Sequence, residues 1–494
     1  MDLNQYIERW AKQSPQATAI VYGAETVSFA QLADRTDRAA SVLKSKYGIQ
    51  RGDRVSYLGL NHPDILSLLL ACERLGAIFN PLNSRLAPAE YAFLLGDAEP
   101  KVFIVDEHFT DLADQLPEAE GKSVFLDDLF KTTNTEKFDC EPVSPDTALL
   151  LVYTSGTTGR PKGVILSQRA VMANINNCQA LYAFEPGQKV QITLPLFHVG
   201  GLCILLLPAL THGATISLHQ RFDPAATLED IEYNQITTSI YVPAQMSAMM
   251  DLPQWQTCDL SSMKYVVVGS SIIPLKQIQN FHARGIPVSQ LYGATETGPA
   301  AIGLPMEFAF QKKGSAGKAV KYCSIEVRSP DRQSLATGEH GDIWVKGDNI
   351  LTHYWRNEEE TAQVLVDGWY NTGDIGFEDS DGFYWIVDRS KDVVISGGEN
   401  IYPAEIEAAS LAHPAIAEIA VVGQKHERWG ETPVAVVEIH TGHRIDLDEY
   451  QNFLADRLAR FKYPKGLVIV DQLPRNGMGK IEKSVLRDQI NQSK

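Results

Sequence analysis

Apolar and polar positions along this chain alternate between two textures. Short apolar runs at residues 54–59, 101–105, 148–152, 191–194, 214–218, 239–242 and 265–268 predict strands. Amphipathic segments lie between them, such as 62–75, which predicts a helix. Ser28, followed three residues later by Gln31, forms a capping box that opens a helix running to about Tyr47. This alternation predicts an α/β protein of layered, largely parallel sheets. After about Gly338 the texture changes to short strands and turns, at 341–346 and 382–387. A second unit opens near Asp388–Asp392, with strands at 393–395, 416–422 and 434–439 and helices at 403–411 and 447–460. That order is a small α+β domain of about one hundred residues. The expected division is therefore 1–388 and 389–494.

Composition narrows the class. At 494 residues the chain exceeds one core, and 44% hydrophobic with 21% charged residues describes a globular protein. The formal charge of −17 argues against a nucleic-acid partner. The strongest apolar stretch, 202–210, falls far short of the ~20 residues of an integral membrane segment. The N-terminus lacks a basic region before an apolar core, and the six cysteines show no paired spacing. Both point to a reducing cytoplasm.

Chemistry concentrates first in residues 153–163. An apolar run ends at Tyr153 and is followed by Thr154, Ser155, Gly156, Thr157, Thr158, Gly159 and then Lys162. Two glycines let backbone N–H groups converge on an anion, the hydroxyls add donors, and Lys162 adds a mobile cation. Such a loop suits a polyphosphate. It is not a Walker loop, because Lys162 stands three residues beyond Gly159 rather than next to it.

Residues 153–163 resemble the phosphate-loop signature of the adenylate-forming enzymes, which include acyl- and aryl-CoA synthetases, firefly luciferase and peptide-synthetase adenylation domains. The resemblance extends over essentially the whole chain. It implies a large N-terminal α/β domain carrying most of an ATP site and a small mobile α+β lid hinged near Lys391. By the same resemblance, Glu296 is the magnesium-binding acid, with Thr154 beside it. Tyr292, Gly293, Ala294 and Thr295 contact the nucleotide, as do Gly269, Ser270 and Ser271 on the adenine side. The two serines depart from the small residues usual there. Asp374 accepts from the ribose hydroxyls, Arg389 makes a second ribose or phosphate contact, and Lys480 is the catalytic lysine carried by the lid.

After lid rotation, Gly397 and Gly398 would let the pantetheine arm of CoA pass, with Trp429 at the tunnel wall. His198 matches the acyl-gating position, where a neutral side chain disfavours amino-acid substrates because an unpaired ammonium in an apolar pocket is costly. Val242, Pro243, Gly293, Pro299, Ala300 and Ile302 are the expected pocket positions. They include no arginine, which disfavours diacids and leaves an aromatic cinnamate-type acid or a short-to-medium fatty acid. The implied reaction turns carboxylic acid, ATP and CoA into acyl-CoA, AMP and pyrophosphate through an acyl-adenylate, catalysed by a monomer or homodimer. Alternatives are an acyl-AMP ligase that loads a carrier protein's pantetheine, a luciferase-like oxygenase, and a degenerate nucleotide binder.

Overall fold

The structure, a computed structural model, describes residues 1–130, 142–154, 161–269, 273–396, 399–426, 429–455, 457–476 and 479–492. The expected strands form at Arg54–Leu58, Val102–Val105, Ala148–Thr154, Lys189–Ile192, Thr215–Leu218, Thr238–Tyr241 and Tyr265–Val268. Three of them, Val102–Val105, Thr238–Tyr241 and Tyr265–Val268, are buried at every position. Both faces of the sheet are covered there, which is why Val102–Val105 and Tyr265–Val268 read as unbroken apolar runs, although Thr238 and Ser239 interrupt the third. The capping box is made in both directions. Ser28 Oγ accepts from Gln31 N at 3.2 Å and Gln31 Oε1 from Ser28 N at 2.8 Å, opening the helix Phe29–Ser45. The helix expected over 62–75 starts at Asp64 and stops before Gly76, whose φ of 67° is left-handed.

The chain divides into two compact units, Met1–Ile325 with Trp344–Tyr370, and Glu326–Ile343 with Asn371–Lys494. The boundary expected between 388 and 389 lies inside the second unit. There the strand Tyr384–Arg389 pairs antiparallel with residues 374–378, which ties 371–388 to the chain that follows.

Among the described residues, unit one holds a nine-stranded and a seven-stranded sheet. The middle of the first is parallel from Thr18–Tyr22 through to Val288–Tyr292. The second is parallel from Ser123–Phe125 to Ala148–Thr154 and then turns antiparallel through Lys162–Ser167 to His353–Tyr354. That antiparallel end carries the hydroxyl-rich loop.

In unit two, Ile416–His426 and Gly430–Ile439 form a long hairpin over a core that includes Val394, Ile406, Val421, Val437 and Tyr450. The helix expected over 447–460 ends at Leu454, its last buried residue, and a 3₁₀ turn follows at Arg460–Lys462. This unit also holds the strand Gly466–Ile469, parallel to Gly430–Ile439, and the helix Lys483–Gln492. No helix among the described residues is long and apolar enough to cross a membrane. Cys72, Cys178, Cys203, Cys258 and Cys323 are free thiols.

Candidate active site

The hydroxyl-rich loop is bracketed by a strand pair in which Thr154 faces Lys162. Thr154 Oγ1 donates to the Lys162 carbonyl at 3.4 Å. Ser155, Gly156, Thr157, Thr158 and Gly159 lie outside the described residues. Gly163 is closely packed, since a Cβ there would sit 2.7 Å from Leu151 Cδ1 and 3.0 Å from Trp355 Cβ. Lys162 is 11% exposed and ion-paired with Glu360, and its Nζ lies 5.6 Å from the centroid of the Tyr354 ring. Glu360 is presented by the helix Glu358–Val364, where Asn357 caps the N-terminus by accepting from Glu360 N at 3.1 Å.

Glu296 stands on the 3₁₀ turn Thr295–Thr297, which follows the strand Val288–Tyr292. It is 8% exposed and accepts a 2.9 Å hydrogen bond from the Tyr354 hydroxyl. Burial, and then the negative charge of Glu296, pushes the phenols of Tyr354 and Tyr370 well above their ordinary range. Two phenols therefore stay protonated beside one carboxylate.

The loop around Glu296 is held from behind by residues 349–351. Asn349, fully buried, donates to Thr297 O at 2.6 Å and Ala300 O at 2.9 Å. Leu351 N donates to Glu296 O at 2.7 Å. Gly293 is required by close approach, because a Cβ there would fall 1.7 Å from Pro299 O. Gly269 is confined in the same way, with Leu291 O 2.9 Å from its missing Cβ. Ser270 and Ser271 are outside the described residues.

These groups suit a magnesium–polyphosphate. Mg²⁺ keeps several waters and takes one or two carboxylates together with substrate phosphates, rather than a cage of protein ligands. The described residues contain no cluster of three or more His, Cys, Asp or Glu that could form such a cage. They do offer one buried carboxylate, Glu296, with Lys162 nearby in the same network.

His198 caps the short helix Val199–Gly201, its Nδ1 accepting from Gly200 N at 3.1 Å. The buried π-helical turn Leu202–Leu206 follows directly, a distortion often found next to functional sites. Of the expected pocket positions, Val242, Pro243 and Gly293 keep exposed surface. Pro299, Ala300 and Ile302 are buried.

Unit two gathers the remaining charged residues. Asp374 and Arg389 are cross-strand partners, with Nε 3.5 Å from Oδ1. Asp374 follows Gly373, whose φ of 70° turns the strand, and its N–H donates to Thr372 Oγ1 at 3.1 Å. Lys480 sits on a tight turn in which Asn476 Oδ1 accepts from Lys480 N at 3.1 Å and Gly479 takes a φ of 77°. The Lys480 ammonium is lowered to about 8, by desolvation first and then by the cations Arg389 and Lys391, against the opposing pull of Asp374 and Asp392. Lys480 itself keeps solvent exposure. Lys391 lies in the turn Ser390–Asp392, its carbonyl accepting from Arg487 Nη2 at 3.2 Å. Its ammonium too is lowered, by desolvation and then by Arg389. Gly397 and Gly398 are outside the described residues. Trp429 is 45% exposed, and its N–H donates to His426 Nδ1 at 3.3 Å.

The structure thus joins Lys162 to Glu296 through Tyr354 in one unit, and brings Lys480, Asp374, Arg389 and Lys391 together in the other. Tyr354, Glu360, Tyr370 and Asn349 went unnoticed in the sequence, where residues 349–360 carry no glycine-rich or spaced-acid pattern. The one available cue was a pair of aromatics, Tyr354 and Trp355, just before an acidic helix start.

Comparison with known proteins covers the same ground. The sequence model of the AMP-binding enzyme family matches residues 7–355, and that of the AMP-binding enzyme C-terminal domain matches residues 405–480. The chain is 42% identical to an indoleacetate–CoA ligase of Aromatoleum aromaticum over 99% of its own length and 98% of the relative's. It is 38% identical to a feruloyl-CoA synthase of an Amycolatopsis species, over 98% and 99%. Among solved structures it is similar to the o-succinylbenzoate CoA synthetase of Bacillus subtilis in complex with the acyl-adenylate intermediate OSB-AMP. The TM-score there is 0.89 at 32% identity, covering 98% of each chain. The same Bacillus enzyme in complex with ATP and a magnesium ion gives 0.88 at 32%, again with 98% of each chain covered. With both family models matched and relatives aligned end to end, this chain belongs to the AMP-binding enzyme family.

Proposed function

We propose that this protein is an AMP-forming acid–thiol ligase that joins a carboxylic acid to CoA at the expense of ATP. The observation that carries the reading is the gathering of Lys480, Asp374 and Arg389 in one unit of an AMP-binding enzyme. A cation meets there a carboxylate suited to two ribose hydroxyls. Lys480 would stabilise charge as the acid's oxygen attacks the α-phosphorus and pyrophosphate leaves. Glu296 and Thr154 would hold Mg²⁺, which when bound neutralises phosphate charge. Lys162 would meet the polyphosphate. Tyr292 to Thr295, with the loop at Gly269, would hold the nucleotide. Lys391 would be the hinge of a lid whose rotation exchanges Lys480 for Gly397, Gly398 and Trp429 beside the CoA arm.

The acid proposed is an aryl-substituted monocarboxylate. Support comes from the two relatives at 42% and 38% identity, which are named for indoleacetate and ferulate, and from pocket positions without an arginine. We propose a cytoplasmic enzyme, monomeric or homodimeric.

The test is a panel of aryl and aliphatic acids, scored for AMP and pyrophosphate release with and without CoA. Acid-dependent pyrophosphate with thioester formed only when CoA is present is the expected result. Adenylate that passes to a loaded carrier protein but not to CoA would replace this reading with carrier loading. Absence of acid-dependent pyrophosphate from every acid would end it.

A further inference from the structure

Residues 349–355 touch both halves of the proposed phosphate site. On one side this strap runs antiparallel to the strand that begins at Lys162, with His353 opposite Ile165 and Tyr354 opposite Val164. Thr352 N donates to Ile165 O at 2.9 Å and Trp355 N to Gly163 O at 2.6 Å. On the other side the strap holds the Glu296 turn through Leu351 N and the Asn349 side chain. Two loops more than 130 residues apart in sequence are thereby set at a fixed spacing by one short segment.

Tyr354 is the residue of the strap whose side chain reaches both loops. Its hydroxyl donates to Glu296 Oε1 at 2.9 Å, and its ring lies under the Lys162 ammonium at 5.6 Å. The backbone fixes where that side chain starts: Tyr354 N donates to Thr361 Oγ1 at 2.9 Å, and its strand partner is Val164. At 5% exposure the ring has little room to swing. A buried carboxylate that loses a donor pays a desolvation penalty and can turn away from its working direction.

We infer that Tyr354 is a positioning residue for adenylation, its hydroxyl aiming Glu296 at the metal–triphosphate while its ring steadies Lys162. This rests on the proposed function, in which Glu296 and Lys162 meet the magnesium and phosphates of ATP. Tyr354 itself touches neither substrate nor reacting atoms.

The experiment compares the full-length Tyr354→Phe and Glu296→Gln variants with the unaltered enzyme. Binding of Mn²⁺ with a non-hydrolysable ATP analogue is followed by the paramagnetic resonance of free Mn²⁺, beside steady-state kinetics. Tyr354→Phe keeps the ring and removes the hydroxyl. It should weaken Mn²⁺–nucleotide binding and raise KM for MgATP by about tenfold, the scale of one hydrogen bond to a charged group, with KM for the acid moving less than about twofold. Tyr354→Leu, which also removes the ring, should weaken nucleotide binding further. Thioester formation from supplied acyl-adenylate serves as the folding control. Unchanged Mn²⁺–nucleotide binding in Tyr354→Phe, alongside lost binding in Glu296→Gln, overturns the positioning role alone. Unchanged binding in Glu296→Gln removes the assignment of Glu296, and the inference with it. Equal rises in both KM values would mark Tyr354 as merely structural and also overturn the inference.

Discussion

Lys162 and Glu360 form an ion pair across 198 residues of sequence, with their side chains 11% and 24% exposed. In a pair this sheltered less water screens the attraction, while the desolvation of both charges opposes it. The arrangement also occupies the cation that the proposed chemistry assigns to phosphate.

Glu360→Gln should therefore release Lys162 to an incoming phosphate. Pyrophosphate, as a product inhibitor, is expected to bind about three to ten times more tightly in this variant, equivalent to roughly 1 kcal/mol. Initial rates of thioester formation at graded pyrophosphate provide the measurement. An unchanged inhibition constant would show that Glu360 does not compete for Lys162.

Lys480 supplies a pH prediction. Its ammonium titrates near 8 in place of the ordinary 10.5, so the proposed adenylation should decline as pH rises through about 8. In Lys480→Arg the charge persists at every accessible pH, and the alkaline decline should vanish from a slower reaction. Lys480→Ala should abolish acid-dependent pyrophosphate exchange while thioester formation from supplied acyl-adenylate survives. Equal loss of both steps would count against a lid that exchanges Lys480 for the thiol tunnel. The sign for stability runs the other way. Between about 8 and 10.5 the unfolded chain holds the extra proton, so this group makes stability rise with pH across that window.

Gly293→Ala places a methyl 1.7 Å from Pro299 O and 2.7 Å from Thr297 Oγ1. Neither neighbour yields easily, because one is backbone and the Thr297 hydroxyl is itself bonded to Ala294 O and Pro299 O. The expected cost is about 3 kcal/mol in urea unfolding, with MgATP-dependent pyrophosphate exchange falling further than stability alone explains. A variant with unchanged stability would show that the turn relaxes freely.

Local pattern carried most of the fold. Continuous apolar runs such as 265–268 identify strands covered on both faces, and the Ser28–Gln31 pair identifies a helix start, because both signals are written within a few adjacent residues. The helix Lys483–Gln492 escaped because Leu486 is its single buried residue among those described, leaving almost no apolar stripe to see. The strand Gly466–Ile469 also escaped, although residues 467–470 form an unbroken apolar run, and Val468 and Ile469 are exposed in the fold. The division of the chain near residue 370 depends on which strands pair, a long-range choice that composition does not report.

The sequence by itself determined the family and the α/β layering. Motif chemistry such as that of residues 153–163 depends on residue types at short, fixed spacing, and such spacing survives in a linear string. Only the tertiary structure decided that Tyr354 donates to Glu296, that Glu360 holds Lys162, and that Lys480 stands among Arg389, Lys391 and Asp374. Each of these relations joins residues from 58 to 198 positions apart. They exist because sheet register and packing within each unit bring residues far apart in sequence within reach of one another.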